Sequence, residues 1–183
     1  MPTKAVPTFT IKVFLYEIEP VIWRRFTIPG SASFADLHRA VQQAMGWEDK
    51  HLHEFRHGKG KRLSDVIAPD DPDVMKGDNF QEESTVSLVS FVGRRPTPVR
   101  LLYRYDFSED WIHEIVIEER SAEETELPVL LEGERACPPE DCGGPMLFMD
   151  ALNGDLEFLD DRYDPAKFTP SKHKFTKLKG VKG

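Results

Sequence analysis

Residues 99–117 read Val-Arg-Leu-Leu-Tyr-Arg-Tyr-Asp-Phe-Ser-Glu-Asp-Trp-Ile-His-Glu-Ile-Val-Ile. Apolar and aromatic side chains occupy alternate positions from Val99 to Phe107 and again from Trp111 to Ile117. This is the period-two pattern of a strand with one buried face. Because a short polar turn, residues 108–110, separates the two runs, the stretch predicts a β-hairpin.

A second hairpin is predicted near the N-terminus. Alternate apolar residues run from Phe9 to Leu15, and the alternation resumes from Ile22 to Ile28. Glu19-Pro20 separates these runs, because proline cannot donate to a β-ladder and the residue before it avoids the helical region.

The clearest helix begins at Ser33, whose hydroxyl can accept the backbone N–H of Asp36 in a capping box. Apolar residues then recur with helical spacing, and these are Leu37, Ala40, Val41, Ala44 and Met45. Gly46 fits the position after the last turn, because glycine tolerates a positive φ.

Hairpins separated by one clear helix favour the α+β class over alternating βαβ units. We predict a mixed, mainly antiparallel sheet built from hairpins, packed against one long helix and shorter C-terminal helices. The length of 183 residues suits a single domain, predicted over residues 8–170 and followed by a basic C-terminal tail, residues 171–183. Residues 85–91 fit either a short helix or a strand.

Charge is distributed unevenly along the chain. The formal net charge is −8, but residues 165–183 carry six lysines and no acidic residue, which leaves −14 on the rest of the chain. An acidic body repels phosphate backbones, whereas a basic tail attracts them. For the tail we favour a solvated terminus over the alternative, a contact with nucleic acid.

The composition also predicts the compartment. No apolar run approaches the ~20 residues that span a bilayer, and the first residues lack the apolar segment of a secretory signal. With two cysteines only, we expect a cytoplasmic protein that does not contact membranes and has no structural disulfide.

Four segments carry a resemblance to a known family. They are Ile22-Trp23-Arg24-Arg25; Ala44-Met45-Gly46-Trp47 with His51-Leu52-His53-Glu54-Phe55; Tyr105-Asp106-Phe107 with Asp110-Trp111-Ile112-His113; and Ala136-Cys137-Pro138-Pro139-Glu140-Asp141-Cys142-Gly143-Gly144. In this order they resemble the plasmid pRiA4b ORF-3-like family, which typically has Tyr-Asp-Phe-Gly-Asp where this chain has Ser108-Glu109. The resemblance implies one α+β domain and an association with mobile elements, and it implies no established activity.

The side chains best suited to chemistry are His51, His53 and His113. His51 and His53 project the same way if their segment is extended, and His113 would add a third nitrogen to a site for Zn²⁺ or another divalent ion. Asp106 and Asp110 lie close in sequence as carboxylate partners. Packed, hydrogen-bonded histidines are the favoured alternative, because no metal signature such as His-Glu-x-x-His is present.

Cys137 and Cys142 allow three interpretations: half of a metal site, a strained redox-active disulfide, or two buried thiols. The last is favoured for a lone cysteine pair in a cytosolic protein. The neighbouring Glu140 and Asp141 argue against a nucleophile, because like-sign repulsion raises the pKa of a thiol.

Arg24 and Arg25 are adjacent on a predicted strand, so their side chains point to opposite faces. For one of these two arginines we expect an ion pair with a buried carboxylate such as Asp106 or Asp110, and the alternative is an anionic ligand.

Two function hypotheses follow. The favoured one is a non-enzymatic binding or accessory module, because no catalytic arrangement reaches the specificity of a known motif. The second is a metal-dependent, hydrolase-like enzyme that uses His51, His53 and His113 with a carboxylate base.

Overall fold

A mixed eight-stranded sheet organises the part of the chain that the computed structural model describes, residues 6–58, 65–154, 159 and 163–168. Its strands are β1 (Thr8–Leu15), β2 (Trp23–Pro29), β3 (His53–His57), β4 (Asp65–Ala68), β5 (Phe80–Glu82), β6 (Val99–Tyr105), β7 (Trp111–Ser121) and β8 (Val129–Glu134). The helices are α1 (Phe34–Met45), α2 (Leu88–Val92) and α3 (Gly144–Leu152). The predicted basic tail, residues 171–183, lies outside the described residues.

The strand order is β5-β4-β3-β6-β7-β1-β2-β8. Every neighbouring pair is antiparallel except β4 and β5, which are parallel. Both predicted hairpins are confirmed as β1/β2 and β6/β7, and β7 joins them because it pairs with β1 as well as β6. The α+β class is therefore confirmed.

Helix α1 has the ends that its sequence predicts. The hydroxyl of Ser33 accepts from Asp36 N, the Asp36 side chain accepts from Ser33 N, and Gly46 ends the helix with φ 88°. The prediction of one long helix needs a correction, because no described α-helix is long. Helix α1 has 12 residues, α2 has 5 and α3 has 9. Residues 85–91 fitted either a short helix or a strand. In the structure residue 85 ends a 3₁₀ turn (Glu83–Thr85), and residues 88–91 lie in α2.

One face of the sheet and all three α-helices share a single hydrophobic core, which includes Leu37 from α1, Phe91 from α2 and Phe148 from α3. Within α1, His38 and Gln42 are also buried, although both are polar. No described α-helix packs on the opposite sheet face, where Phe14 of β1 pairs with Trp23 of β2.

None of the helices in the described part of the chain is long and apolar enough to cross a membrane.

Candidate metal-binding site

The connection between α1 and β3, together with the first residue of β3, supplies three side chains with potential chemistry, Asp49, His51 and His53. Its backbone is anchored to α1, because Asp49 N donates to Gln42 Oε1 at 3.0 Å. Asp49 and His53 turn toward one group of polar side chains, and His51 turns toward another.

His51 lies among three carboxylates, and we call His51, Asp106, Glu140 and Asp141 the His51 cluster. The Nε2 atom of His51 is 2.6 Å from Asp141 Oδ1, 3.6 Å from Asp106 Oδ2 and 3.9 Å from Glu140 Oε1. One ligand atom from each of His51, Asp106 and Asp141 lies within 4.8 Å of the other two. An imidazole with carboxylates is a ligand set that binds divalent cations such as Mn²⁺, Fe²⁺ or Zn²⁺.

The turn between β6 and β7 holds the Asp106 carboxylate in place. Asp106 Oδ1 accepts from Ser108 N at 2.9 Å, from the Ser108 hydroxyl at 2.5 Å and from Glu109 N at 3.3 Å. Burial raises the pKa of this carboxyl, but the hydrogen bonds from Ser108 and Glu109 and the charge of His51 outweigh burial and lower it. Asp106 is therefore ionised at neutral pH, with one oxygen fixed and Oδ2 directed at His51.

The same turn explains the departure from the family pattern. Its positive φ angles fall at Asp106, with φ 54°, and at Asp110, with φ 63°, rather than at Ser108. Aspartate is among the non-glycine residues that adopt this conformation most readily. The turn therefore needs no glycine at position 108.

A loop between β8 and α3 brings Glu140 and Asp141 to the cluster. Glu109 Oε1 accepts from Gly143 N at 2.7 Å, which attaches this loop to the β6–β7 turn. The Tyr105 hydroxyl donates to Glu140 Oε1 at 2.7 Å. The Asp141 side chain stays 53% exposed, so the cluster is open to solvent on this side.

The charge around His51 favours its protonated form. Burial lowers the pKa of His51, but the hydrogen bond to Asp141 and the charges of Asp106, Asp141 and Glu140 outweigh burial and raise it. The imidazolium thus provides the positive charge that a bound cation would otherwise supply. Metal binding here would release a proton from His51.

A second group has ligand atoms at a similar spacing, but its rings are arranged differently. It contains His38, Asp49 and His53, again within 4.8 Å of one another. The rings of His38 and His53 are stacked 3.4 Å apart at an interplanar angle of 4°. An imidazole binds a metal in its ring plane, and an ion midway would lie about 1.7 Å out of each plane, or about 50° off the lone pair at a metal–nitrogen distance of ~2.1 Å. These two histidines therefore do not share a metal ion in this arrangement.

The side chains of this second group form hydrogen bonds with one another and with neighbouring residues. His38 Nε2 donates to Asp49 Oδ1 at 2.7 Å, and the Tyr103 hydroxyl donates to His38 Nδ1 at 2.8 Å. His53 Nε2 lies 2.6 Å from Glu83 Oε2. Burial lowers the pKa of His38, which agrees with a neutral ring that donates from one nitrogen and accepts at the other.

His113 occupies a third environment. It is 0% exposed, and its Nδ1 donates to Trp111 O at 3.2 Å, while Nε2 has no hydrogen-bond partner among the described residues. The convergence of His51, His53 and His113 on one ion, which was the less favoured interpretation of these residues, is therefore not formed. The reason is that β3 begins at His53, so His51 precedes the strand and the period-two argument does not apply to it.

Arg25 forms the expected ion pair, with Glu118 and Glu132 rather than with Asp106 or Asp110, whereas Arg24 forms no ion pair among the described residues. The Arg24 side chain is buried, and its hydrogen bonds go to Trp23 O, Ala44 O, Glu134 O, Arg135 O and Cys137 Sγ, at 2.7 to 3.0 Å. Asp110 pairs instead with Arg104, and Asp106 belongs to the His51 cluster. Backbone carbonyls replace the carboxylate because Arg24 lies where β2, the end of α1 and the chain after β8 meet.

Cys137 and Cys142 are free thiols that pack against the core. Burial raises the pKa of Cys137 to about 11, and burial together with the charge of Glu109 raises that of Cys142 to about 12. Neither belongs to the two candidate metal groups of the described residues. Both thiols are therefore poor nucleophiles at neutral pH.

Comparison with known proteins gives the same assignment as the sequence motifs. The sequence profile described as "Plasmid pRiA4b ORF-3-like protein" matches residues 7–172. The chain belongs to the plasmid pRiA4b ORF-3-like family. It is 39% identical over 159 residues to uncharacterized protein y4hQ of Sinorhizobium fredii (strain NBRC 101917 / NGR234), covering 85% of this chain and 73% of that protein. It also resembles the crystal structure of MM3350, a protein of unknown function from Methanosarcina mazei Go1, with TM-score 0.77, 32% identity, and coverage of 93% of this chain and 99% of that chain.

In this pRiA4b ORF-3-like protein, three of the four motifs meet at the His51 cluster. His51 comes from the second motif, Asp106 from the third, and Glu140 and Asp141 from the fourth. The first motif contributes Arg24, which donates to the fourth at Cys137. The motifs that identify the family are thus assembled around one small region.

Sequence reasoning missed part of this region. Glu140 and Asp141 were considered only for their effect on the thiols, and His38 and Asp49 were not considered at all. A signal for His38 does exist in α1, since His38 and Gln42 are polar residues four apart and so share one side of the helix.

Proposed function

We propose that this protein is a divalent-metal-dependent hydrolase whose ion is bound by His51, Asp106 and Asp141. The observation that supports this most is the state of Asp106 Oδ2. The side chain is 5% exposed, and within the described residues this oxygen accepts no hydrogen bond, its charged neighbour being His51 Nε2 at 3.6 Å. Because this anionic oxygen keeps its lone pairs free of hydrogen bonds and lies beside His51 and Asp141, it would be a ligand for a cation bound between the three residues.

The arrangement also suits hydrolysis. Three protein ligands would leave coordination positions for water, and a bound divalent ion lowers the pKa of such a water toward neutrality. Glu140 Oε1 is 3.9 Å from His51 Nε2, so its carboxylate would be near a bound ion and would act as the base for the proton that water loses.

Asp106→Asn is the variant that tests the proposal. The asparagine oxygen can still accept from Ser108 and Glu109, and asparagine tolerates the φ of 54° at this position. The substitution therefore keeps the turn and replaces only the anionic Oδ2. Asp110→Asn is the matched control, because it lies in the same turn at φ 63° and its carboxylate contacts Arg104 instead.

Titration calorimetry of the full chain with Mn²⁺ and with Zn²⁺ measures the result. We expect one ion per chain, an affinity lower by about 10- to 100-fold in Asp106→Asn, and an unchanged affinity in Asp110→Asn. The absence of stoichiometric binding, or an equal effect of both substitutions, would reject the metal site.

The second candidate function is the non-enzymatic binding module. It is favoured by the sheet face that no described α-helix covers, where Phe14 and Trp23 are half-buried and the neighbouring Tyr16 is 56% exposed. A module of this kind would bind its partner equally well after Asp106→Asn, whereas Tyr16→Ala would weaken the complex. The association with mobile elements and a nucleic-acid contact through residues 171–183 stay predictions of the sequence.

A further inference from the structure

The His51 cluster lies in a strongly acidic part of the protein. Its carboxylates Asp106, Glu140 and Asp141 are joined by two more. Glu48 is adjacent because its backbone N–H donates to Glu140 Oε2 at 2.8 Å. The Glu109 carboxylate is nearby because its Oε1 accepts from Gly143 N at 2.7 Å, two residues after Asp141.

A single lysine is paired with this group among the described residues. The Nζ atom of Lys50 is 2.8 Å from Glu48 Oε2 and 3.7 Å from Asp141 Oδ2, so its charge is already neutralised. With His51 neutral as a metal ligand, five carboxylates, one ammonium and one divalent ion leave a net charge of −2.

This charge disfavours anionic substrates. Sites that transfer phosphoryl groups surround the reacting phosphate with arginines, lysines and metal ions. A phosphate ester at the His51 cluster would instead place its own negative charge beside an uncompensated excess of carboxylates.

From the proposed hydrolase function we infer that the substrate is an amide that has no negative charge and carries an ammonium group near the bond to be cleaved, such as a peptide with a free amino terminus. The side chains of Glu48 and Asp141 are 63% and 53% exposed, so carboxylates lie on the solvent side, where they would attract the ammonium group. In the reaction the oxygen of water bonds to the carbonyl carbon and the carbon–nitrogen bond breaks. The proton lost by water passes through Glu140 to the leaving amine, and nothing is oxidised or reduced.

Three chromogenic probes test this inference on the full chain loaded with Mn²⁺ or Zn²⁺. They are alanine p-nitroanilide, its N-acetylated form and bis(p-nitrophenyl) phosphate. We expect kcat/KM to be roughly tenfold higher for the free amine than for the acetylated probe, and lowest for the phosphate diester. Glu48→Gln should reduce the preference for the free amine, because Lys50 would then offset the charge of Asp141 alone. The control Glu114→Gln, on the sheet beside Arg100, should leave the preference unchanged.

Any other result shows which part of the proposal is wrong: the substrate class, the hydrolytic activity or the metal site. Fastest cleavage of the phosphate diester, or equal rates for the two anilides, would overturn the substrate class and leave the hydrolase proposal standing. Stoichiometric metal without turnover of any probe would overturn both the substrate class and the hydrolytic activity, but not the metal site. If no metal binds, the proposed function itself fails.

Discussion

The Arg24 guanidinium connects three parts of the fold next to the candidate site. It joins β2 to the last turn of α1 through Ala44 O, and to the chain after β8 through Glu134 O and Arg135 O. Its remaining bonds go to Trp23 O and to the thiol of Cys137. Arg24→Lys keeps the charge but reduces the number of N–H donors from five to three.

The expected loss of stability follows from this difference in donors. At least two of the five acceptors lose their partner, and a hydrogen bond from a charged donor contributes about 1.5 kcal/mol or more. We therefore expect the free energy of unfolding to fall by about 3 kcal/mol. Since a domain of ordinary stability has about 5–15 kcal/mol in total, this loss is large.

Urea denaturation followed by circular dichroism measures the loss, and Arg25→Lys is the control. Arg25 is the next residue, on the opposite face, where its 34% exposed side chain pairs with Glu118 and Glu132. Because exposed ion pairs contribute up to about 1 kcal/mol, we expect Arg25→Lys to cost less than that. A loss below about 1 kcal/mol in Arg24→Lys, or equal losses in the two variants, would refute the reasoning.

Three further predictions concern other parts of the chain. Cys137 and Cys142 should react with a thiol reagent at pH 8 much more slowly in the folded protein than after unfolding, because burial raises the pKa values to about 11 and about 12. Burial lowers the pKa of His113 to about 4. The unfolded state, with a pKa near 6.5, therefore takes up the proton first, and about 3 kcal/mol of stability should be lost as pH falls from about 6.5 to about 4. His113→Leu should reduce that pH dependence in urea titrations. Ser33→Ala should lower the free energy of unfolding by about 1 kcal/mol in the same assay, since the hydroxyl accepts from Asp36 N at 3.2 Å.

Local patterns predicted most of the secondary structure. The alternation around Tyr103 and His113 gave β6 and β7, whose register then places these two residues opposite each other. The capping box at Ser33 and the glycine at position 46 gave the ends of α1. These features depend on neighbouring residues, so they can be inferred without knowledge of distant contacts.

The candidate site was predicted in part. His51 and Asp106 were recognised as candidates, but His53 and His113 were placed with them and Asp141 was not. The alternation rule holds only within a strand, and the sequence did not show that the strand starts at His53. Asp141 reaches His51 because contacts between distant segments hold its loop, for example that of Glu109 with the backbone of Gly143, residues 34 positions apart.

By itself the sequence determined the elements and their faces, including the position of Arg24 on an apolar face, because helix and strand periodicity and capping are properties of short segments. Tertiary structure alone decided which polar groups meet: Arg24 with backbone carbonyls, His53 with Glu83, and His51 with Asp106 and Asp141. The physical reason is that a buried polar group is stabilised by whatever partner lies within about 3 Å, and only the packing of distant segments fixes which partner that is.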